Sequence, residues 1–132
     1  TKHIFIEDNI FKMRDGTDAN GFIQIGGGAT TSVAFSTGII SVSGNRFFVD
    51  VPNSVSAPLI LATNAPLASL VIDGNIVYAN GAGWRFITID GTQVEGAVIL
   101  NNKTYGVTTF ISDGGSNTKF TGNDNFKDRV EN

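Results

Sequence analysis

Apolar residues recur along this chain in short runs with polar residues between them, and glycine, asparagine, aspartate and serine separate the runs. Alternation with a period of two indicates strands, and no stretch keeps the i, i+3, i+4, i+7 spacing of an amphipathic helix without interruption. The pattern predicts an all-β protein of about ten short strands. The predicted strands are residues 3–6, 10–13, 22–25, 32–36, 39–43, 46–51, 59–62, 69–72, 76–79, 84–89, 94–100 and 105–111.

Turn-forming dipeptides separate the strands in the second half of the chain: Asp73-Gly74, Asp90-Gly91 and Asn101-Asn102. These residue types accept the positive φ angles that two-residue hairpin turns require. The sequence therefore predicts an antiparallel meander from about residue 69 to residue 111.

Several predicted strands are apolar on both faces. Within residues 84–89, Trp84 and Phe86 share one face, and Ile87 and Ile89 share the other. Strands of this kind lie between packed layers or beneath a neighbouring subunit. We expect a sandwich, jelly-roll or barrel-like domain over residues 1–111. The polar residues 112–132 are expected to form an extended C-terminal arm or an extra edge strand.

The most apolar stretch is APLILATNAPLASLVID, residues 57–73. Pro58 and Pro66 lack an N–H and belong at strand starts or sheet edges. No charged residue lies between Asp50 and Asp73, so nothing there discourages association with another chain. The stretch is either buried within the domain or covered by a second subunit. The assembly-interface residues predicted by the second alternative are Leu59, Ile60, Leu61, Leu67 and Leu70.

Composition and charge narrow the function classes. Only 16% of residues are charged, and the net charge of −3 comes without any basic cluster, so nucleic acid is not a predicted partner. The chain has no cysteine, which excludes disulfides, thiolate catalysis and Cys-ligated zinc. The longest apolar stretch is interrupted by proline and polar residues, so we predict no membrane helix.

Candidate catalytic groups are few. The only histidine is His3, close to the N-terminus, where a Ser-His-Asp arrangement is hard to build. Asp50 and Glu95 are the acids that fall inside predicted strands, and a carboxylate pair of this kind is the hydrolase hypothesis. Residues 121–126, TGNDNF, resemble part of a calcium-binding glycine–aspartate repeat, but a turn rich in Asn and Asp explains one partial copy. We predict no catalytic residues, no metal site and no cofactor.

A glycan-binding role is the alternative to a structural one. Carbohydrate sites combine an aromatic platform with hydrogen-bonding side chains. We expect the turn at 80–83 to bring the strand containing Tyr78 beside the strand that begins at Trp84. The glycan-binding residues predicted on this basis are Tyr78, Trp84 and Tyr105.

The whole chain is short, β-rich, free of cysteine, poor in charge, and rich in Gly, Ser, Thr and Asn, with polar terminal segments. In this style it resembles small bacteriophage virion proteins, namely capsid decoration (cement) proteins and fibre or spike domains. The resemblance implies a non-enzymatic homo-oligomer, such as a trimer, fixed to other virion proteins. It further implies a location in the virion or outside the cell, where the partner of the alternative role would be a cell-surface glycan.

Overall fold

The computed structural model describes residues 3–13, 22–25, 39–50, 58–63, 69–79, 83–90, 94 and 96–126. These residues form strands and connections only, without any helix, so the all-β prediction is confirmed. The strands are β1 (Ile4–Glu7), β2 (Ile10–Met13), β3 (Ile23–Ile25), β4 (Ile40–Ser43), β5 (Arg46–Val49), β6 (Pro58–Thr63), β7 (Leu70–Asp73), β8 (Ile76–Ala79), β9 (Arg85–Asp90), β10 (Val98–Leu100), β11 (Lys103–Tyr105), β12 (Thr109–Asp113), β13 (Lys119–Thr121) and β14 (Asp124–Phe126).

Every third strand along the chain joins the same sheet. The first sheet has the order β1-β4-β7-β10-β13, the second β14-β11-β8-β5-β2, and the third β12-β9-β6-β3. All of these pairings are parallel. The chain therefore winds through the three sheets once per coil, as a parallel β-helix. Coil 1 is β1–β3, coil 2 is β4–β6, coil 3 is β7–β9, coil 4 is β10–β12, and coil 5 is β13–β14.

The antiparallel meander predicted for residues 69–111 is wrong. The strands on either side of Gly74, β7 and β8, belong to different sheets, and each pairs in parallel with strands of the neighbouring coils. The same turn chemistry serves both folds, because a positive φ bends the chain sharply whether or not the next strand returns to its predecessor. The expected architecture was a sandwich, jelly roll or barrel. The structure is a three-sheeted parallel helix instead, because each turn leads into a different sheet and not back to the preceding strand.

The interior of the helix is filled by matching apolar side chains from successive coils. One such column runs through Ile6, Val42, Ile72, Ile99 and Phe120, which are aligned by the register of the first sheet. Its three middle members are fully buried. Parallel in-register pairing places equivalent side chains one strand spacing apart, so like residues stack along the axis.

A cluster of phenylalanines fills the corner between the second and third sheets. Phe47 stacks on Phe11 with ring centroids 5.0 Å apart, and it also contacts Phe22 and Phe86. Phe86 and Ile87 are successive residues and both are fully buried. Strict alternation therefore does not hold at the start of β9.

A ladder of asparagines runs along the inside of the turn between the first and second sheets. Its members are Asn9, Asn45, Asn75, Asn102 and Asn123. The Oδ1 atom of Asn75 accepts hydrogen bonds from the main-chain N–H and from Nδ2 of Asn45, both at 3.0 Å. The Nδ2 group of Asn75 donates to Asn102 Oδ1 at 2.9 Å and to the Val42 carbonyl at 2.8 Å. The same pattern links each neighbouring pair, so three fully buried amides are satisfied in one continuous network.

The residue before each ladder asparagine has a positive φ angle. The positions are Asp8 (56°), Gly44 (65°), Gly74 (67°), Asn101 (52°) and Gly122 (71°). Glycine, asparagine and aspartate are the residues that tolerate this conformation most readily. Each of these turns therefore consists of a Gly, Asn or Asp with a positive φ angle, followed directly by a ladder asparagine.

The first and last described strands join the same helix. Residues 119–126 of the segment predicted to be an arm or an extra edge strand form β13 and β14, at the edges of two sheets. Residues 127–132 lie outside the described ranges. The helix is thus built from the first described strand to the last by one repeated pairing rule.

Candidate functional site

An aromatic column runs along the outer face of the second sheet. It consists of Phe48, Tyr78, Tyr105 and Phe126, which are aligned by the strand register. Their ring centroids are 5.3, 5.2 and 4.9 Å apart, and the interplanar angles are 14°, 5° and 10°. The rings therefore stack upon one another along the helix axis.

Stacking limits what the aromatic column can bind. A sugar packs against the face of an aromatic ring, whereas the faces of Tyr78 and Tyr105 are directed towards other rings of the column. The column thus presents mainly ring edges to solvent along its middle. Beside its first member lies a surface hollow of about 280 Å³, lined by Ile10, Lys12, Arg46, Phe48 and Asp50.

The predicted glycan-binding residues are separated by the fold. Tyr78 and Tyr105 are adjacent in the aromatic column. Trp84 lies before β9 and is fully buried in the core, so it cannot stack against a ligand. The expected proximity of Tyr78 and Trp84 assumed a hairpin, and the three-sheeted winding removes that assumption.

The apolar stretch at 57–73 is covered mainly by its own chain. Leu59, Ile60 and Leu70 are fully buried or nearly so, and Leu61 is half-buried. Strand β6 begins at Pro58, at a position where a missing N–H is tolerated, but it lies between β3 and β9 and is not an edge strand. The buried leucines therefore belong to the core, and no second chain is needed to cover them. Leu67 lies outside the described ranges.

The exposed apolar side chains lie instead at the two ends of the helix. Among the described residues, the large hydrophobic side chains that are exposed are Ile4, Phe5, Ile10, Ile39, Phe120 and Phe126. Five of these six belong to β1, β2, β13 and β14, the strands of coils 1 and 5. Phe5 is 60% exposed and Ile10 is 62% exposed. Middle coils cover each other, whereas a terminal coil has a neighbour on one side only.

The candidate catalytic groups are not brought together. The Nδ1 atom of His3 accepts a hydrogen bond from the Ile39 main-chain N–H at 3.2 Å, at the edge of the first sheet. Asp50 is exposed after β5, and Glu95 lies outside the described ranges. Within the part of the chain that the structure describes, no three His, Cys, Asp or Glu side chains are close enough to hold a metal ion. No helix formed by these residues is long and apolar enough to cross a membrane.

Sequence reasoning missed the asparagine ladder, although the sequence carries its signal. A Gly, Asp or Asn followed by Asn stands directly before a strand at residues 8–9, 44–45, 74–75, 101–102 and 122–123. The separations between ladder members are 36, 30, 27 and 21 residues, so no constant period reveals the repeat. A hairpin turn does not require a buried asparagine after its positive-φ residue. The repeated asparagine at this position is therefore the feature that distinguishes these turns from hairpin turns.

Fold and surface together define a small parallel β-helix with an internal asparagine ladder and apolar ends. Comparison with protein-family models, with curated proteins and with solved structures finds no match to this chain.

Proposed function

We propose that this chain is a non-enzymatic structural and interaction module that forms part of a larger assembly. The observation that carries the proposal is the asparagine ladder, which satisfies a row of buried amides through every described coil. A column of hydrogen bonds along the axis stiffens the coil stack, because each of the three middle amides, Asn45, Asn75 and Asn102, is held by neighbours in two other coils. A rigid stack of coils suits a structural protein, which must hold its binding partners at a fixed distance and orientation.

The surroundings of the described acids favour this role over a catalytic one. A carboxylate pair that cleaves a glycosidic bond needs two acids facing each other across the reacting bond. Asp50 follows β5, whereas Asp73 ends β7 and Asp113 ends β12, so these acids lie on different sheets. The side chains of Asp50 and Asp113 are exposed, and that of Asp73 is half-buried.

The setting we propose is a virion or another extracellular particle. Low charge, absence of cysteine and abundant Gly, Ser, Thr and Asn favour this class of protein, as does the resemblance in style to bacteriophage decoration, fibre and spike proteins. In this setting the chain associates with copies of itself and with other particle proteins.

Glycan binding is the second candidate function. It is favoured by Tyr78 and Tyr105, which lie side by side on an outward face beside basic residues such as Lys103. It is weakened by the burial of Trp84 and by the mutual stacking of the rings.

Quantitative mass spectrometry of particles purified from cultures of the source organism tests the proposal. We expect the chain in the particle fraction, at a fixed molar ratio to the other particle proteins. The ratio should persist through a salt wash, because burial of apolar surface, unlike contact between exposed charges, is not screened by salt.

A chain found only outside particles would overturn the structural proposal. If that chain also bound a glycan array, and Tyr78→Ala and Tyr105→Ala removed the binding without unfolding it, glycan recognition would replace the structural role. Ser41→Lys, on the outer face of a different sheet, is the matched control for those two variants.

A further inference from the structure

The two ends of the helix are complementary to each other. We propose that one copy of this chain docks its coil 5 onto coil 1 of a second copy, head to tail, so that the β-helix continues from copy to copy. This inference rests on the proposed structural function and names the partner and the surface. It follows from the ladder, from the exposed apolar residues and from the register of the strands.

The asparagine ladder has a different chemical end at each terminus. In every step, the main-chain N–H and Nδ2 of one asparagine donate to Oδ1 of the next asparagine along the chain. Within the described residues, Asn9 is the first member, and no earlier asparagine donates to its Oδ1. Among the same residues Asn123 is the last member, and no later asparagine up to residue 126 accepts from its N–H. One end therefore offers an acceptor and the other end offers donors.

The bonding of Asn9 also differs from that of the other members. Elsewhere Nδ2 donates to a carbonyl of the preceding coil, three residues before that coil's asparagine, as from Asn102 to Ile72. No coil precedes Asn9 within the described residues, and its Nδ2 donates to the carbonyl of Glu7, within its own coil, at 3.0 Å. In a head-to-tail pair, the equivalent acceptor is the Phe120 carbonyl of the other copy.

Exposed apolar surface is concentrated at the same two ends. Phe120 is 47% exposed, yet it occupies the interior column that Ile99 and Ile72 fill in the middle of the helix. At the other end Ile6 completes the same column. Placing coil 5 on coil 1 covers Phe120 with Ile6, so the interior column becomes continuous across the junction.

The outer columns supply two cation–π pairs at the junction. The aromatic column ends with Phe126 at coil 5, and the same register position in coil 1 is Lys12. A column of the first sheet begins with Phe5 and ends with Lys119. In the head-to-tail pair each lysine therefore lies over a phenylalanine of the other copy, which is a favourable arrangement.

All strands of the first sheet run in the same direction, so β13 of one copy and β1 of the next form a parallel pair like every other pair in that sheet. Such a contact uses two different surfaces and does not close on itself. It therefore generates open-ended filaments or, with another partner at one end, a defined stack.

Two end-blocking variants test the head-to-tail contact. Phe5→Lys places a lysine opposite Lys119 at the coil 1 end, and Phe126→Lys places one opposite Lys12 at the coil 5 end. Both residues are exposed in the single chain, so circular dichroism and thermal unfolding should show a folded protein. Ser41→Lys is the matched control, since Ser41 follows Phe5 in the same outer column but lies one coil inside.

Sedimentation velocity over a concentration series measures the effect. We expect the average mass of the unsubstituted chain to rise with concentration without a plateau, and Ser41→Lys to behave the same way. Each end-blocked variant alone should lose at least about tenfold in association constant. An equimolar mixture of the two variants should form a dimer and stop there, because each supplies the one intact end that the other needs.

Three results would overturn the head-to-tail contact. They are an unsubstituted chain that stays monomeric up to its solubility limit, end-blocked variants that associate as the unsubstituted chain does, and a closed oligomer that only Ser41→Lys disrupts. The last result, or a monomer that is still found in purified particles, would leave the proposed structural function standing with a different contact surface.

Discussion

Asn75 is the middle member of the asparagine ladder and has no exposed surface. Its side chain takes part in four hydrogen bonds, with Asn45 on one side, Asn102 on the other, and the Val42 carbonyl. A buried amide that loses its partner costs more than the bond itself contributes, since the group left behind has been taken out of water. The ladder therefore depends most strongly on its middle members.

Asn75→Ala should lower the free energy of unfolding by about 3 kcal/mol, because the Val42 carbonyl loses the donor Nδ2 of Asn75, and the main-chain N–H and Nδ2 of Asn45 lose their acceptor, Asn75 Oδ1. Asn9→Ala is the control, and it should cost about 1 kcal/mol, since Asn9 is exposed and its main-chain N–H still reaches Asn45. Urea unfolding in dilute solution measures both. Equal losses in the two variants would contradict the ladder as a source of stability.

At the scale of elements, the connections between strands are constrained in two different ways. Gly74 joins β7 to β8 with a φ of 67°, and a Cβ placed there would have open space around it. Gly115 joins β12 to β13, and a Cβ there would lie 2.6 Å from the Val94 carbonyl oxygen and 3.1 Å from Ile89. Gly74 is favoured because its φ angle is positive, and Gly115 is favoured because the space beside it is too small for a Cβ atom.

Gly115→Ala should therefore destabilise the protein by about 2 kcal/mol or more, because the main-chain oxygen of Val94 cannot move aside like a flexible side chain. Gly74→Ala should cost about 1 kcal/mol, the usual penalty for an alanine in the left-handed region. Thermal or urea unfolding of the two variants gives the comparison. A larger loss at Gly74 would show that backbone conformation, and not packing, limits these connections.

Several described strands match the predicted runs, but their pairing does not match, and the predicted strand at 32–36 lies outside the described residues. Boundaries at β2, β4 and β8 match the predicted runs closely, because alternation and turn residues are local signals. The run predicted at 105–111 is divided between β11 and β12, since Gly106, with a φ of 79°, turns the chain between two sheets. Alternation and a positive-φ residue, the two signals used for the prediction, do not distinguish a turn into a hairpin from a turn into the next sheet.

At the scale of the whole molecule, the main contacts between described strands join each coil to the coils before and after it. Stability in such a stack is close to a sum over neighbouring interfaces, and the end coils are held from one side only. Coil 5 consists of two short strands whose residues are all exposed. The stack should therefore open from its ends.

Amide hydrogen exchange should follow this order, with the slowest exchange in β7 and β8 and the fastest in β13 and β14. Mass spectrometry or NMR at low protein concentration measures the gradient. At high concentration, head-to-tail docking should slow exchange in β1 and β13 while leaving β7 unchanged. Uniform protection along the chain would instead indicate a single cooperative unit.

The candidate surfaces show the same division between local and non-local information. Tyr78 and Tyr105 were singled out as aromatic residues next to turns, and the register of the second sheet brings them together. Trp84 and Leu59 carry the same kind of local signal, yet both lie in the core. Burial depends on which sheet a strand joins and which way it faces, and alternation alone leaves both choices open.

The sequence by itself determined the strands, the absence of helical periodicity and the places where the chain must turn, because these depend on neighbouring residues. The tertiary structure alone decided that the strands pair in parallel, that five asparagines separated by unequal lengths of chain form one ladder, and that apolar side chains at the two ends face solvent. Strand pairing is a contact between distant residues, and a period of two is the same in parallel and antiparallel sheets.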